Sequence, residues 1–190
     1  MMIDPLLLEI PEEIVTERLI IRAPQVGDGA LVRPVVLANQ EHLKPWMPWA
    51  VNVPTAEEYE IWGRKRRLAF LAREELQLLL FWRETGQYIG GSGMHHIKWE
   101  VPKFEIGYWI SKEFEGRGLV LEAVNAITNF LFETLNANRV EIRCDTNNVR
   151  SAAVARRAGY THEGTLIHDA RHHLTNELRS THVFAKTRGD

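Results

Sequence analysis

Two glycines in the segment Glu115–Gly118 stand between a predicted strand and the start of a predicted helix. Glycine lets a backbone turn sharply and expose its N–H groups, and the N-terminus of a helix adds a positive dipole. Together these features predict a turn that cradles a phosphate group. The same residues also fit a tight strand-to-helix turn that binds nothing, because short glycine motifs have low specificity.

The glycine pattern also excludes several better-known sites. The dinucleotide-binding GxGxxG fingerprint fails because Leu121 occupies the position of its third glycine, and the chain contains no GxxxxGK sequence. A second cluster, Gly90 to Gly93, lies within a predicted strand, and Met94 breaks the GxSxG nucleophile elbow. This cluster predicts a bulge, or a point where another backbone or a ligand comes close.

The composition of the 190-residue chain narrows its class further. With 23 Lys and Arg against 25 Asp and Glu, the formal net charge is −2, which disfavours a protein whose main function is nucleic-acid binding. The single cysteine, Cys144, allows neither an internal disulfide nor a thiolate zinc cluster. The segment Met1–Ile10 lacks a basic region, and no stretch approaches the ~18 apolar residues of a membrane helix. We expect a cytoplasmic protein without a metal, nucleic acid or membrane partner.

Hydrophobic periodicity predicts the elements that position these residues. Near the N-terminus we expect one strand over Glu13–Ala23 and a helix after Asp28 that Pro34 shortens or breaks. The order of all elements predicts one α+β domain over residues 1–190, with a mixed sheet and one parallel β–α–β crossover. The other predicted strands are Leu76–Arg83, Gln87–Trp99, Phe104–Ile110, Arg139–Cys144, Tyr160–Ile167 and Thr181–Lys186, and the other helices are Thr55–Glu74, opened by a capping box with Glu58, Leu119–Leu135 and Asn148–Ala158.

Two further motifs flank the glycine turn, Glu105–Ile110 before it and Asn148–Tyr160 after it. In this order and spacing, the three motifs resemble the GNAT superfamily of acetyl-CoA-dependent N-acetyltransferases, and within it the Rim-type branch that acetylates ribosomal-protein N-termini. The resemblance covers nearly the whole chain. It implies a GNAT-type α+β fold: a mixed, mostly antiparallel sheet with flanking helices and a central splay between the strands that end at Ile110 and Cys144.

The resemblance also implies acetyl-CoA as co-substrate, with no metal. The family pattern at the phosphate turn is Gln/Arg-x-x-Gly-x-Gly/Ala. Gly118 matches it, whereas Glu115 and Val120 depart from its first and last positions. The implied contacts are backbone pairing of the pantetheine with Tyr108, Trp109 and Ile110, amides of Arg117, Gly118, Leu119, Val120 and Leu121 on the pyrophosphate, and Asn148 on the pantetheine arm.

Acetyl transfer needs a neutral amine, and the leaving thiolate needs a proton. Many family members use a tyrosine seven residues past the helix-capping Asn, where this chain has Ala155, and Rim-type relatives use the serine that is Ser151 here. Serine is also common in the first turn of a helix, so a purely structural role fits Ser151 equally. For the base we favour Glu105, which alternates with Gly107 and Trp109 on one strand face. A solvated carboxylate at a strand edge is the alternative.

The acceptor side is the least specific part of the sequence. The loop Pro45–Trp49 carries Trp46 and Trp49 on a proline-framed backbone, which suits a lid over a peptide or small amine but equally suits a plug at the end of the core. His95 is a candidate to reach the same cleft. We predict that the chain, as a monomer or homodimer, acetylates a protein or peptide N-terminus or a small aminoacyl compound. The alternatives are a polyamine or antibiotic acetyltransferase, and a non-catalytic CoA-binding or regulatory module.

Overall fold

The structure is a computed structural model, and it describes residues 4–189. Residues 1–3 and residue 190 lie outside the described residues. Residues 1–3 are part of the segment Met1–Ile10, for which the sequence predicts no signal peptide. In chain order the elements are β1 (Glu13–Val15), β2 (Leu19–Arg22), α1 (Gly29–Ala38), α2 (Gln40–Leu43), α3 (Ala56–Leu71), β3 (Leu76–Trp82), β4 (Tyr88–Lys98), β5 (Lys103–Ile110), α4 (Leu119–Glu133), β6 (Arg139–Asp145), α5 (Val149–Arg157), β7 (Thr161–Arg171) and β8 (Leu178–Thr187), with 3₁₀ turns at Pro5–Leu7, Pro48–Ala50 and Lys112–Phe114.

The strands of the described chain form one sheet in the order β1-β2-β3-β4-β5-β6-β8-β7. Six of its neighbouring pairs are antiparallel, and α4 connects the parallel pair β5 and β6. The predicted α+β sheet with one parallel crossover is therefore confirmed. Within residues 4–189, no helix is long and apolar enough to cross a membrane.

The central splay lies between β5 and β6. These strands pair only where Lys103–Glu105 faces Arg139–Glu141, and they diverge towards their carboxyl ends. At the closed end the buried carboxylate of Glu141 accepts from Lys103 Nζ at 2.6 Å and from Arg139 Nε at 2.7 Å. The two strands are thus joined at one end and open at the other, as predicted.

Helices cover both faces of the sheet. On one face α4 buries an apolar stripe at helical spacing against the sheet, together with residues of α5. On the other face α1 and α3 pack on β3 and β4. The stripe of α4 comprises Leu119, Ala123, Val124, Ile127 and Leu131, and the second face joins Val32, Val36 and Tyr59 to Leu79, Phe81 and Tyr88.

The last two strands are longer than predicted, since β7 runs on to Arg171 and β8 begins at Leu178. Three further predictions, in the first part of the chain, were wrong for local reasons. The expected strand Glu13–Ala23 is a hairpin, because Thr16 bonds Leu19 through its N–H and side chain and turns the chain. Helix α1 continues through Pro34, since buried residues on both sides of the proline hold it against the sheet. Helix α3 ends at Leu71 rather than near Glu74, because Arg73 adopts the left-handed region at φ +62°.

The glycines of β4 allow two strands to approach closely. A Cβ at Gly90 would lie 2.4 Å from the carbonyl oxygen of Trp109, and one at Gly91 would lie 2.8 Å from the indole nitrogen of Trp109. The β3–β4 register also shifts by one residue at Leu80/Phe81, which is the predicted bulge. The sequence left open whether another backbone or a ligand comes close to the Gly90–Gly93 cluster. The close contacts of Gly90 and Gly91 are with the neighbouring strand β5.

Candidate active site

A cleft of about 820 Å³ opens where β5 diverges from β6. Its walls are the end of β5, the turn at 114–121, one side of α5 with the residues before it at 147–157, and the segment 42–47 around the end of α2. The cleft brings together Trp46, Tyr108, Trp109, Ile110, Gly118, Leu119, Val120, Leu121, Asn148 and Ser151 from the predicted site. Four predicted residues lie outside its lining: Trp49, His95, Glu105 and Arg117.

The phosphate turn has the expected backbone. Gly116 and Gly118 adopt positive φ of +73° and +76°, a region that favours glycine. Gly118 is the N-cap of α4, so the first amides of the helix have no helical acceptor. These N–H groups and the helix dipole make the end of α4 a place for an anion.

The side chain of Arg117 turns away from the cleft. Its guanidinium donates to the Glu113 carbonyl at 3.0 Å and lies 4.9 Å from the centre of the Phe114 ring. Arg18 donates to the Arg117 carbonyl at 2.9 Å and pairs with Glu122 at 2.6 Å. Burial acts to raise the pKa of Glu122, but the bonds from Thr16 and Arg18 outweigh it and lower the pKa. The β1–β2 turn thus fixes the glycine turn through its main chain.

A hydroxyl pair bridges β5 and α5. Asn148 caps α5 by accepting from Ser151 N at 3.1 Å, as predicted. The hydroxyl of Tyr108 donates to the Ser151 carbonyl at 2.9 Å and accepts from Ser151 Oγ at 3.1 Å. Burial raises the pKa of Tyr108 well above its usual value, so this phenol stays protonated at neutral pH. Sequence analysis placed only the backbone of Tyr108 in the site and missed its hydroxyl.

Cys144 and Ala155 complete the surroundings of this bridge. Cys144 is buried near the end of β6, and burial raises the pKa of its thiol. Ala155 is buried in α5. The Tyr108 phenol therefore approaches α5 from β5, whereas the family's usual tyrosine would belong to α5 itself.

Glu105 and His95 lie beside the closed end of the splay, opposite each other in the β4–β5 register. The Glu105 carboxylate is 3.1 Å from His96 Nδ1 and 3.9 Å from Arg143 Nε. The His95 ring covers Gly107, where a Cβ would lie 3.4 Å from it. Burial lowers the pKa of His95, so the imidazole is neutral at neutral pH. The neighbouring His96 adopts the left-handed region at φ +48°, where the β4–β5 register becomes irregular.

The tryptophan loop divides between the cleft and the core. Trp46 and Met47 line the cleft, whereas Trp49 packs on Trp109 with ring centroids 5.8 Å apart. Trp109 in turn packs on Tyr88 at 6.0 Å. The structure thus places Trp46 at the cleft and the partly exposed Trp49 against Trp109, and the lid and plug roles of the loop stay predictions.

The tip of the β7–β8 hairpin anchors this loop. His172 Nε2 donates to the Pro45 carbonyl at 3.1 Å, and His173 Nε2 donates to the Lys44 carbonyl at 2.7 Å. The two imidazoles stack with centroids 4.9 Å apart. Both histidines thus bond to the segment directly before Trp46.

Charged residues at the mouth of the cleft were not predicted as ligands. Glu115 pairs with Arg150 at 2.7 Å and with His42 at 3.0 Å. Arg157 lines the same wall as Arg150. Their seven-residue spacing on a predicted helix is the signal that could have found them, because it places both on one helix face. Among residues 4–189, no group of three or more His, Cys, Asp or Glu is arranged to hold a metal ion.

A mixed sheet splayed beside a helix N-terminus defines the acetyltransferase class, and comparison with known proteins agrees. Residues 18–161 match the family described as the acetyltransferase (GNAT) domain, and the chain belongs to this family. YdaF of Bacillus subtilis strain 168, whose name assigns it provisionally to the ribosomal N-acetyltransferases, is 34% identical over 153 residues, which cover 79% of this chain and 81% of that protein.

Two solved structures share the fold. The ribosomal L7/L12 α-N-protein acetyltransferase RimL in complex with coenzyme A has a TM-score of 0.84 at 23% identity, covering 92% of this chain and 96% of its own. The microcin C7 self-immunity acetyltransferase MccE in complex with acetyl-CoA and AMP has a TM-score of 0.87 at 20% identity, covering 94% and 98%. The predicted family, fold class and enzyme class are thereby confirmed, and acetyl-CoA is the acetyl donor of that class.

Proposed function

We propose that this chain acetylates the α-amino group of a protein or peptide N-terminus, of the ribosomal-protein alanine or serine type, or of a small aminoacyl compound. The observation that carries the proposal is the cleft in the β5–β6 splay, which is lined both by the N-terminus of α4 and by the tryptophan loop. Transfer is direct, with donor and acceptor bound together. We place the enzyme in the cytoplasm, as a monomer or homodimer.

The residues of the cleft fit acetyl-CoA. The free amides at the start of α4, with Gly116 and Gly118 in positive φ, suit the pyrophosphate of the donor. The carboxyl end of β5 has lost β6 as its hydrogen-bonding neighbour, so its backbone is free to pair with the pantetheine. Asn148 stands across the cleft from Ile110, in place to reach the same arm.

Acetyl-CoA supplies the acetyl group as a thioester when it is bound. A backbone N–H of β5 then donates to the thioester oxygen as charge develops there. The amine nitrogen bonds to the acetyl carbon as the carbon–sulfur bond breaks. Glu105, or a water that it orders, takes the proton of the amine, and Ser151 gives a proton to the leaving thiolate. His95, which lies opposite Glu105 outside the cleft lining, is proposed to meet only the part of the acceptor that extends beyond the cleft.

The lining of the acceptor side supports a substrate with apolar surface beside its amine. Trp46 and Met47 present large side chains to the cleft, and Trp109 closes its floor. The near-neutral net charge of −2 gives little long-range steering towards a polycation such as spermidine. The names of YdaF and RimL, which refer to ribosomal acetylation, agree with a protein N-terminus.

Two measurements test the proposal. Titration calorimetry with CoA and acetyl-CoA tests the donor site, and absence of heat at millimolar concentration would reject it. Free-thiol release then compares peptides that begin with Ala or Ser with spermidine and an aminoglycoside. A higher kcat/KM for either of the last two than for every peptide would contradict the proposed acceptor.

A second candidate is a non-catalytic CoA-binding module. Two observations favour it: Ala155 replaces the family's usual tyrosine, and Glu105 lies outside the cleft lining. This candidate predicts heat with CoA and no thiol release with any amine. If the chain is the proposed enzyme, both heat with CoA and thiol release with an amine are expected. Glu105→Gln should then lower kcat by ~10²–10⁴ with little change in acetyl-CoA affinity.

A further inference from the structure

Glu115 forms an ionic bridge across the mouth of the cleft. Its Oε2 accepts from Arg150 of α5 at 2.7 Å, and its Oε1 lies 3.0 Å from Nε2 of His42 in α2. The glutamate itself belongs to the turn that precedes α4. One carboxylate thus joins three segments that line the donor cleft.

The charges around this bridge favour an anion. Among the described residues that line the cleft, Glu115 is the one carboxylate, and Arg150 and Arg157 are the two guanidinium groups. The glutamate therefore neutralises a cation on a wall that faces the anion-binding turn. A guanidinium forms charge-assisted bonds to phosphate as readily as to carboxylate.

The pair is built so that it can exchange partners. The side chain of Arg150 is 74% exposed, whereas that of Glu115 is 26% exposed and is also held by His42. An exposed ion pair contributes only about 0–1 kcal/mol, so little is lost when the arginine moves to another anion. Arg150 is therefore the exposed member of the pair, and Glu115 is the member with a second partner.

We infer that Glu115 stands in for a phosphate of the donor: it holds Arg150 until acetyl-CoA binds, and a phosphate group of CoA then takes its place. This inference rests on the proposed function. It follows that Glu115 opposes donor binding twice, by competing for Arg150 and by repelling the phosphates. Replacing its charge should therefore tighten binding.

The test measures the Kd of CoA by calorimetry for the wild type and Glu115→Gln. Gln keeps the size of Glu and an oxygen that accepts from His42. We expect a Kd about three- to fivefold lower, chiefly because Arg150 no longer has to leave an exposed ion pair before it can bind a phosphate. Glu113→Gln is the matched control, because it removes the same charge from an exposed site on the same segment, outside the cleft lining. Its Kd should stay within twofold of the wild type.

Arg150→Gln separates exchange of partners from repulsion alone. We expect it to raise the Kd about tenfold, and most of the gain from Glu115→Gln should vanish in the double variant. Arg156→Gln, on the same helix but stacked over Phe184, is the control for loss of one positive charge. An unchanged Kd for Glu115→Gln, an equal gain for Glu113→Gln, or a full gain in the Arg150→Gln background would each overturn the inference.

Dephospho-CoA identifies which phosphate is bound. If the gain from Glu115→Gln disappears with dephospho-CoA, Arg150 binds the 3′-phosphate, and if it persists, Arg150 binds the pyrophosphate. The proposed function fails separately, because it requires heat from CoA with the wild-type protein. Equal melting temperatures for wild type and Glu115→Gln show that the variant is folded.

Discussion

Two hydroxyl groups at the inner end of the cleft define the chemistry available at the scale of single residues. Ser151 Oγ donates to the Tyr108 hydroxyl at 3.1 Å, and that hydroxyl donates to the backbone carbonyl of Ser151 at 2.9 Å. The bond to Tyr108 orients Ser151, which is also fixed by its place in the first turn of α5. A proton given up by Ser151 has to be returned from solvent, because the Tyr108 phenol donates its hydrogen to the Ser151 carbonyl and burial raises its pKa well above the usual value.

Ser151→Ala removes the proposed proton donor. We expect kcat to fall by about ten- to a hundredfold, at or below the usual range for general acids, because a thiolate is already a fair leaving group. The KM for acetyl-CoA should change little, since the Asn148 cap uses the backbone N–H of residue 151. Steady-state thiol release measures both constants. Wild-type turnover in this variant would assign protonation of the thiolate to water.

At the scale of elements, β4 and β5 require glycine where they meet. Gly90→Ala would place a methyl group 2.4 Å from the Trp109 carbonyl and 2.9 Å from the Ile110 Cα. Both are backbone atoms of a central strand, so the clash has no easy relief, and we expect the free energy of unfolding to fall by about 3 kcal/mol. Chemical denaturation measures this change.

The control for Gly90→Ala lies in another strand of the same sheet. Among the described residues, a Cβ at Gly164 in β7 would meet no atom within 4 Å. Gly164→Ala should therefore change the free energy of unfolding by less than about 0.5 kcal/mol. Equal losses in the two variants would mean that the cost comes from the alanine backbone and not from the close approach of β5.

The closed end of the splay makes stability depend on pH. Burial acts to raise the pKa of Glu141, but bonds from Lys103 and Arg139 outweigh it and hold the pKa below the usual value of 4.5. The ionised carboxylate therefore stabilises the folded state above the unfolded pKa, and this contribution is lost as pH falls through the lowered folded value. Glu141→Gln should reduce the free energy of unfolding by about 2 kcal/mol at pH 7, less than for a fully buried pair because both cations remain partly exposed.

The check is chemical denaturation as a function of pH. The difference between wild type and Glu141→Gln should shrink towards zero as the pH is lowered below 4.5. Glu133→Gln, at an exposed position of α4, should follow the wild type throughout. A difference that is constant with pH would show that the variant acts by packing and not by charge.

Local signals made some of these elements predictable and left others hidden. The capping box of Thr55 and Glu58 lies within four residues and opens α3 as predicted. The β1–β2 hairpin has no glycine, proline or asparagine at its turn, and it is fixed by Arg18 through Glu122, 104 positions away. The Tyr108–Ser151 bond likewise spans 43 positions. Spacing shows which residues share an element, but it does not show which elements will touch.

At the scale of the whole molecule, the last hairpin supports a loop from the first third of the chain. His172 and His173 donate to the carbonyls of Pro45 and Lys44, directly before the cleft-lining Trp46. We expect the double variant His172→Ala/His173→Ala to raise the KM for a peptide acceptor about tenfold. Loss of the two hydrogen bonds should cost roughly 1.4 kcal/mol, which corresponds to a tenfold change. The KM for acetyl-CoA should stay unchanged.

The paired variant Trp46→Ala tests the same surface from the other side. It should also raise the peptide KM without affecting acetyl-CoA, because its side chain is the part of the loop that faces the cleft. Trp49→Ala is the variant for comparison. Because Trp49 packs on Trp109, its loss should lower the free energy of unfolding in addition to any change in the peptide KM. If the peptide KM is unchanged in both the Trp46 and the histidine variants, the loop does not bind the acceptor and serves only in packing.

The two hairpin histidines bind main-chain oxygens, and every residue type offers a main-chain oxygen. The position of the loop is therefore independent of the side chains it carries at 44 and 45, and only the distance along the chain to Trp46 is constrained. Mutations can accumulate in this loop while its backbone stays docked. A library randomised at positions 46 and 47 would thus sample new acceptors on one unchanging frame, which is how a lineage of such enzymes could diversify its substrates without rebuilding its fold.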